Sequence, residues 1–246
     1  MRYQFASDLH IEYLENVQAN NFIKKDPDSD ILVLAGDIGS LYRMDQLIQF
    51  LKELSDFKKI LYIPGNHEFY TIKNVTPKPF NELVKELYSL ETVIPNLVIL
   101  NNSTFVVGDT IFYGCTLWSD IGNNNLPKFR VRIYGFNNKV YNQQYRKSLQ
   151  FLTKNFSNKQ NNMTKIVITH YPPVNLVAHI KNKFPYLYSN NLETLITQSN
   201  MCIWHFGHIH HNHNFVHNGV HLITNQKGRD KDNVTDYHTC FVIETT

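Results

Sequence analysis

The chain has 246 residues, 42% of them hydrophobic and 18% charged, with a formal net charge of +3 at pH 7. That suffices for one large core and is too weakly positive to indicate a nucleic-acid partner. Three cysteines without zinc-knuckle spacing (Cys115, Cys202, Cys240), no cationic leader before the first strand and no apolar run near the ~20 residues of a bilayer span exclude disulfide-scaffold and membrane classes, so a cytoplasmic protein is expected.

Along the chain, apolar β-branched runs alternate with amphipathic stretches. Tyr3-Gln4-Phe5-Ala6, Ile31-Leu32-Val33-Leu34 and Ile60-Leu61-Tyr62-Ile63 read as buried strands. Residues 43–56 (Leu47, Ile48, Leu51, Leu54) and 79–90 (Phe80, Leu83, Val84, Leu87) carry helical spacing. Residues 119–139 show no periodicity, and a segment that long in a compact domain is usually functional or disordered: either a loop lying over the site or a solvated basic loop. A helix over 141–156, a strand at Ile166-Val167-Ile168, a helix over 190–197 and a strand at Cys202-Ile203-Trp204 follow. Such alternation predicts parallel strands joined by helices. Short runs at 213–217, 220–224 and 237–243, with Asn218-Gly219 as a hairpin signal, add antiparallel strands at the end. Asn123–Asn125 and Asn161–Asn162 read as exposed turns.

Five of these strands run into short polar clusters: Asp8-Leu9-His10, Gly36-Asp37, Gly65-Asn66-His67-Glu68, Thr169-His170 and Gly207-His208-Ile209-His210. Singly, each has an ordinary explanation. Asp and His are common in turns, Gly-Asp is turn chemistry, and Glu68 can do no more than open a helix. Ordinary turn chemistry does not explain why all five follow the same kind of run in one chain. Open α/β sheets carry their active sites at the C-terminal ends of strands. Carboxylate, imidazole and amide groups gathered there suit divalent metals, and together they amount to a ligand set for two adjacent ions.

This order of clusters resembles the calcineurin-like metallophosphoesterase superfamily, from Asp8 to His210. The resemblance implies an α/β fold, a four-layer sandwich of two mixed β-sheets flanked by helices, with residues 1–246 as a single domain. It implies that Asp8, His10 and His210 bind one metal and that Asn66, His170 and His208 bind a second. Asp37 would bridge the two, and His67 would stand beside the leaving oxygen. Manganese, iron or zinc would suit these oxygen and nitrogen ligands. The superfamily's serine/threonine phosphatases continue the Gly-Asp with an Asp-Arg-Gly element, which Gly36-Asp37-Ile38-Gly39-Ser40-Leu41-Tyr42 lacks. Gly114-Cys115-Thr116-Leu117-Trp118-Ser119-Asp120 is instead similar to the small bacterial-type phosphohydrolases. Asn225-Gln226-Lys227-Gly228-Arg229 matches that branch's Asn-Pro-Arg-Gly element only in part and is given no catalytic role.

The expected reaction is hydrolysis of a phosphate mono- or diester (a small molecule, nucleotide or cyclic nucleotide) by in-line attack of a metal-bridging hydroxide. Two ions about 3.5–4 Å apart clamp the attacking and leaving oxygens and acidify the water between them. A proton or hydrogen bond from His67 to the leaving oxygen is typically worth roughly 10²–10⁴-fold. Glu68 is expected to support the site, Tyr70 to line it, and His211 and His213 to stay outside it. In Lys128-Phe129-Arg130-Val131-Arg132, an extended backbone would aim Arg130 and Arg132 at the cleft as substrate-binding residues, with Phe129 and Val131 toward the protein body. A nuclease of the same superfamily would need a capping domain for which the chain has no spare length. A non-catalytic scaffold would have lost histidines that are all present here.

Overall fold

The computed structural model describes residues 1–156, 163–176, 183–199 and 201–245; the predicted turn at Asn161–Asn162 lies outside them. Among these residues the strands are β1 (Arg2–Ala6), β2 (Ile31–Ala35), β3 (Lys59–Ile63), β4 (Leu97–Ile99), β5 (Ser103–Val107), β6 (Thr110–Cys115), β7 (Thr164–Thr169), β8 (Ile203–His205), β9 (Asn214–His217), β10 (Val220–Ile223) and β11 (Val242–Glu244). The helices are α1 (Met44–Lys52), α2 (Phe80–Val93), α3 (Asn138–Phe156) and α4 (Glu193–Gln198).

The strands form two mixed sheets, ordered β11-β1-β2-β3-β4 and β5-β6-β7-β8-β10-β9. In the first, β1 to β4 are parallel and β11 runs antiparallel to β1. In the second, β6, β7, β8 and β10 are parallel, with antiparallel β5 and β9 at the edges. The α/β sandwich of two mixed sheets flanked by helices is therefore the observed fold.

Although the central strands read as continuous apolar runs, each divides its residues by period two between different layers. Tyr3, Phe5, Val33, Leu61, Ile63, Phe112, Ile166, Ile168 and Ile223 meet in the layer between the sheets. Alternate residues, among them Leu32, Leu34, Ile60, Tyr62, Val167 and Trp204, pack outward into the core shared with the helices. On the helices the buried positions keep helical spacing: Leu47, Phe50 and Leu51 on α1, Leu83, Leu87 and Leu90 on α2, and Tyr141, Tyr145, Ser148 and Leu152 on α3.

Asn218 and Gly219 both take positive φ and close the β9–β10 hairpin, as their sequence predicts. The predicted strand 237–243 is shorter: pairing with β1 begins at Val242. Residues 97–115 contribute three strands that the apolar pattern does not delimit. Edge strand β5 is only half buried, so its pattern is weak. Segment 119–139 has no regular element until α3 begins, yet it is anchored: Ile121, Leu126, Val131, Ile133 and Phe136 are buried.

Candidate metal centre

The site lies where β1, β2, β3, β7 and β8 end. Asp8 and Asp37 each follow their strand by two residues, Asn66 and His208 by three, and His170 by one. Asp8, His10, Asp37, His208 and His210 all adopt left-handed backbone, with φ between 50° and 76°. Such conformations are uncommon for these residue types and persist only where the surroundings enforce them. The turns also press against the carboxylates. A Cβ on Gly65 would strike Asp37 Oδ1, and one on Gly207 would strike Asp8 Oδ2.

Two sets of donors converge there. Asp8, His10 and His210 each present a ligand atom within 4.8 Å of the others, as do Asp37, His170 and His208. Asn66 joins the second set, its Oδ1 lying 3.1 Å from His170 Nε2. Asp37 stands between the sets: Oδ1 is 3.3 Å from His170 Nε2, and Oδ2 is 3.8 Å from His10 Nε2.

Each histidine has one ring nitrogen committed to an acceptor outside the centre. His10 Nδ1 faces Glu12 Oε1 at 3.2 Å, His170 Nδ1 the Ala35 carbonyl at 2.9 Å, His208 Nε2 the Leu187 carbonyl at 2.9 Å, and His210 Nδ1 Asp232 Oδ2 at 2.6 Å. An imidazole that donates through one nitrogen presents a lone pair at the other. Once a cation replaces any inner proton, all four inner nitrogens would face inward as acceptors; two of them, His10 Nε2 and His210 Nε2, lie 3.0 Å apart. Lone pairs do not attract at that distance; they suit a shared cation. This donor set fits divalent ions, with the outer acceptors fixing each ring as supporting groups do around metals.

The electrostatics agree. Burial opposes a charge on His170, yet the charge and hydrogen bond of Asp37, with Asp8, carry its pKa up to about 9. Burial likewise opposes His210, but hydrogen bonds to Asp232 and Asp8 bring it to about 9. Burial and neighbouring His170 hold His208 neutral, near 3. Desolvation would raise Asp37, but the charges of His170 and His67 keep it well below the usual carboxylate range. The pocket therefore favours positive charge beside Asp8 and Asp37.

His67 sits at the rim. Its backbone N–H donates to Asp37 Oδ1 at 2.8 Å, and its Nδ1 lies 3.0 Å from Glu12 Oε1 and 3.3 Å from the Tyr13 hydroxyl. Glu68 is buried beneath. It accepts from the backbone N–H groups of Asp37, Ile38 and Gly65 and from the Tyr62 hydroxyl, tying the β2 and β3 turns together. Burial and nearby Asp37 push its pKa up to about 7.

The cleft over these residues, about 190 Å³, is lined in part by Tyr70, Phe129, Arg130, Arg132, Tyr188 and Arg229. Both predicted arginines thus reach it, but not through the extended backbone expected. The N–H groups of Arg130 and Val131 both bond the Pro127 carbonyl, forming a turn. Val131 is buried, whereas Phe129 is 67% exposed and stands against Phe184 instead of the protein body. Arg132 is held by its carbonyl, which accepts from Thr71 N, and by its guanidinium over the Tyr70 ring. His211 and His213 belong to none of the donor groups among the described residues.

Three participants escape a reading of the strand ends: Glu12, Asp232 and Arg229. Glu12 follows His10 by two residues in a short 3-10 turn, and that spacing is its one local signal. Asp232 and Arg229 reach the centre from the last loop, where Arg229 Nε and Asp232 Oδ2 pair at 2.9 Å behind His210.

The sequence profile of the family described as calcineurin-like phosphoesterase matches residues 1–212. An uncharacterized protein of Acanthamoeba polyphaga mimivirus is 28% identical, over 95% of this chain and 94% of its own length. Among solved structures, the phosphopantetheinyl hydrolase of Mycobacterium tuberculosis superposes with a TM-score of 0.71 at 17% identity, covering 94% of this chain and 90% of that one. A putative 5'-nucleotidase from Staphylococcus aureus superposes at 0.50 and 14% identity, over 91% of this chain and 48% of that one. These two likenesses concern the fold.

Proposed function

Because this chain belongs to the calcineurin-like phosphoesterase family, we propose that it hydrolyses a small phosphate mono- or diester with two divalent metal ions. Asp8, His10 and His210 would hold one ion, Asn66, His170 and His208 the other, with Asp37 between them. The observation that carries this reading is the set of inward-facing imidazole nitrogens around two buried carboxylates. The bound ions would supply Lewis acidity and neutralise charge developing on the phosphoryl oxygens.

The chain's own groups do the rest. With Glu12 accepting from His67 Nδ1, a proton for the leaving oxygen would come from Nε2 of the doubly protonated ring, whose charge the Glu12 carboxylate would balance. The Asp37 carboxylate also accepts the His67 backbone N–H, which ties the turn of the proton donor to the ligand bridge. Arg130 and Arg132, at the cleft, would orient the phosphoryl group by charge-assisted hydrogen bonds. Tyr70 and Tyr188 wall the cleft.

The test is metal analysis combined with turnover. Purified protein loaded with manganese, iron or zinc is assayed against aryl phosphate mono- and diesters, nucleotides and cyclic nucleotides. Two ions per chain and hydrolysis of at least one ester class, lost on chelation, are expected. Two bound ions without hydrolysis of any ester would refute the reading, as would turnover that survives chelation.

A further inference from the structure

Beside the metal cleft lies a second cavity of about 420 Å³ to which no role has been given. Its lining includes four cations: Arg132, Lys227, Arg229 and Lys231. Asp230 is the one acidic residue in the lining, and its carboxylate stands 3.6 Å from Lys227 Nζ. Asp232 is already engaged by His210 and Arg229. The floor is apolar, made by buried Leu9 with Leu14, and the half-exposed ring of Tyr13 forms one side.

The two cavities adjoin. Tyr13, Arg132 and Arg229 line both. Arg229 is fixed in place, its backbone N and its Nε each 2.9 Å from Asp232 Oδ2. A guanidinium has five N–H donors, and this fork engages only Nε and Nη2, the latter at 3.4 Å. Lys227 is steadied over the Phe22 ring. Cations held by neighbouring groups bind an anion at lower entropic cost than free surface lysines. The volume lies within the range of small-ligand sites, and planar guanidinium forks match phosphoryl oxygens.

Resting on the phosphoesterase reading above, we infer that this cavity is a second anion subsite, which takes a non-scissile phosphoryl group of the substrate while the scissile one lies over the metal centre. The substrate class is then an organic phosphate ester carrying two phosphoryl groups. The linking part would rest on Leu9, Leu14 and the Tyr13 ring.

Phosphonates, whose carbon–phosphorus bond resists this hydrolysis, isolate binding from turnover. The manganese-loaded full chain is titrated calorimetrically with methylphosphonate and with linear alkane bisphosphonates of increasing length. At some length the bisphosphonate should bind about tenfold or more tightly than methylphosphonate, a difference of about 1.4 kcal/mol. In Lys227→Ala/Lys231→Ala that advantage should vanish. Methylphosphonate affinity, metal content and aryl monophosphate turnover should stay within about twofold of the unaltered chain. No advantage at any length, or an advantage that persists in the double variant, overturns the subsite. Failure of the phosphoesterase reading shows separately, as absent turnover of every ester while the titrations still report on the cavity.

Discussion

Glu12 joins two histidines with different duties. One carboxylate oxygen lies within 3.2 Å of Nδ1 on His10 and on His67, so a single side chain orients a proposed metal ligand and the proposed proton donor. Burial would raise the Glu12 pKa, but hydrogen bonds to both histidines hold it below the ordinary value. Glu12→Gln, assayed at saturating metal, should lower kcat about 10–100-fold, the usual cost of removing such a supporting group. The loss should be larger for an alkyl phosphate than for an aryl phosphate, whose leaving group departs without a proton. In His67→Ala/Glu12→Gln, the leaving-group effect should not exceed that of His67→Ala alone, because groups acting as a unit are not additive. Fully additive losses would mean that Glu12 does not act through His67.

Asp37 offers the other test at this scale. Its two oxygens face different donor sets, and an amide replaces one of them with a donor. Asp37→Asn should lose at least one ion per chain by metal analysis and abolish hydrolysis. Two retained ions would remove Asp37 from the bridging position.

At the scale of elements, segment 119–139 shows how an aperiodic stretch is ordered by packing. Phe136 lies against Trp118 and Phe80, and the Tyr141 hydroxyl meets Ser119 Oγ at 2.8 Å. These anchors carry the turn at 127–131 to the cleft, where Arg130 is exposed and its guanidinium lies over the Phe129 ring. Arg130→Ala should raise KM with metal content unchanged, since a charge-assisted hydrogen bond is worth about 1.5–3 kcal/mol, roughly ten- to a hundredfold. Unaltered kinetics would confine Arg130 to the solvated surface. The helices and inner strands are legible in sequence because their burial repeats locally, as Leu83, Leu87 and Leu90 do on α2. The turn at Phe129 is not, because the Pro127 carbonyl and Phe184, not alternation, decide where that ring goes.

For the whole molecule, His205 is a buried polar side chain beside the layer between the sheets, stacked on Phe5 and bonded to the Tyr3 hydroxyl at 2.6 Å and the Ile223 carbonyl at 3.0 Å. Burial holds it neutral, with its pKa lowered from 6.5 to about 3. The unfolded chain therefore binds a proton that the folded chain refuses between these values. Stability from this group is complete above pH 6.5 and falls as pH drops toward 3, by up to about 1.4 kcal/mol per pH unit. Urea unfolding of chelated protein from pH 7 to 4 should show a shallower decline in Tyr3→Phe/His205→Leu than in the unaltered chain. Equal slopes would place the acid sensitivity elsewhere. Among the described residues, no helix is long and apolar enough to cross a membrane.

What the sequence determined by itself is what lies near in sequence: strands as apolar runs, helices as repeats, and polar clusters placed at strand ends where parallel sheets expose them. Asp8, His10, Asp37, Asn66, His170, His208 and His210 were identifiable as a set for that reason, together with His67. The tertiary structure alone decided the partnerships across long separations. Asp232 meets His210 in the last loop, which the bridge between Gln226 and Ser7, just past β1, helps bring back to the centre. The same return places Lys227, Arg229 and Lys231 beside Arg132, nearly a hundred residues earlier in the chain. Strand periodicity carries no information about which loops meet. That is set by sheet order and by the packing of the two sheets on one another.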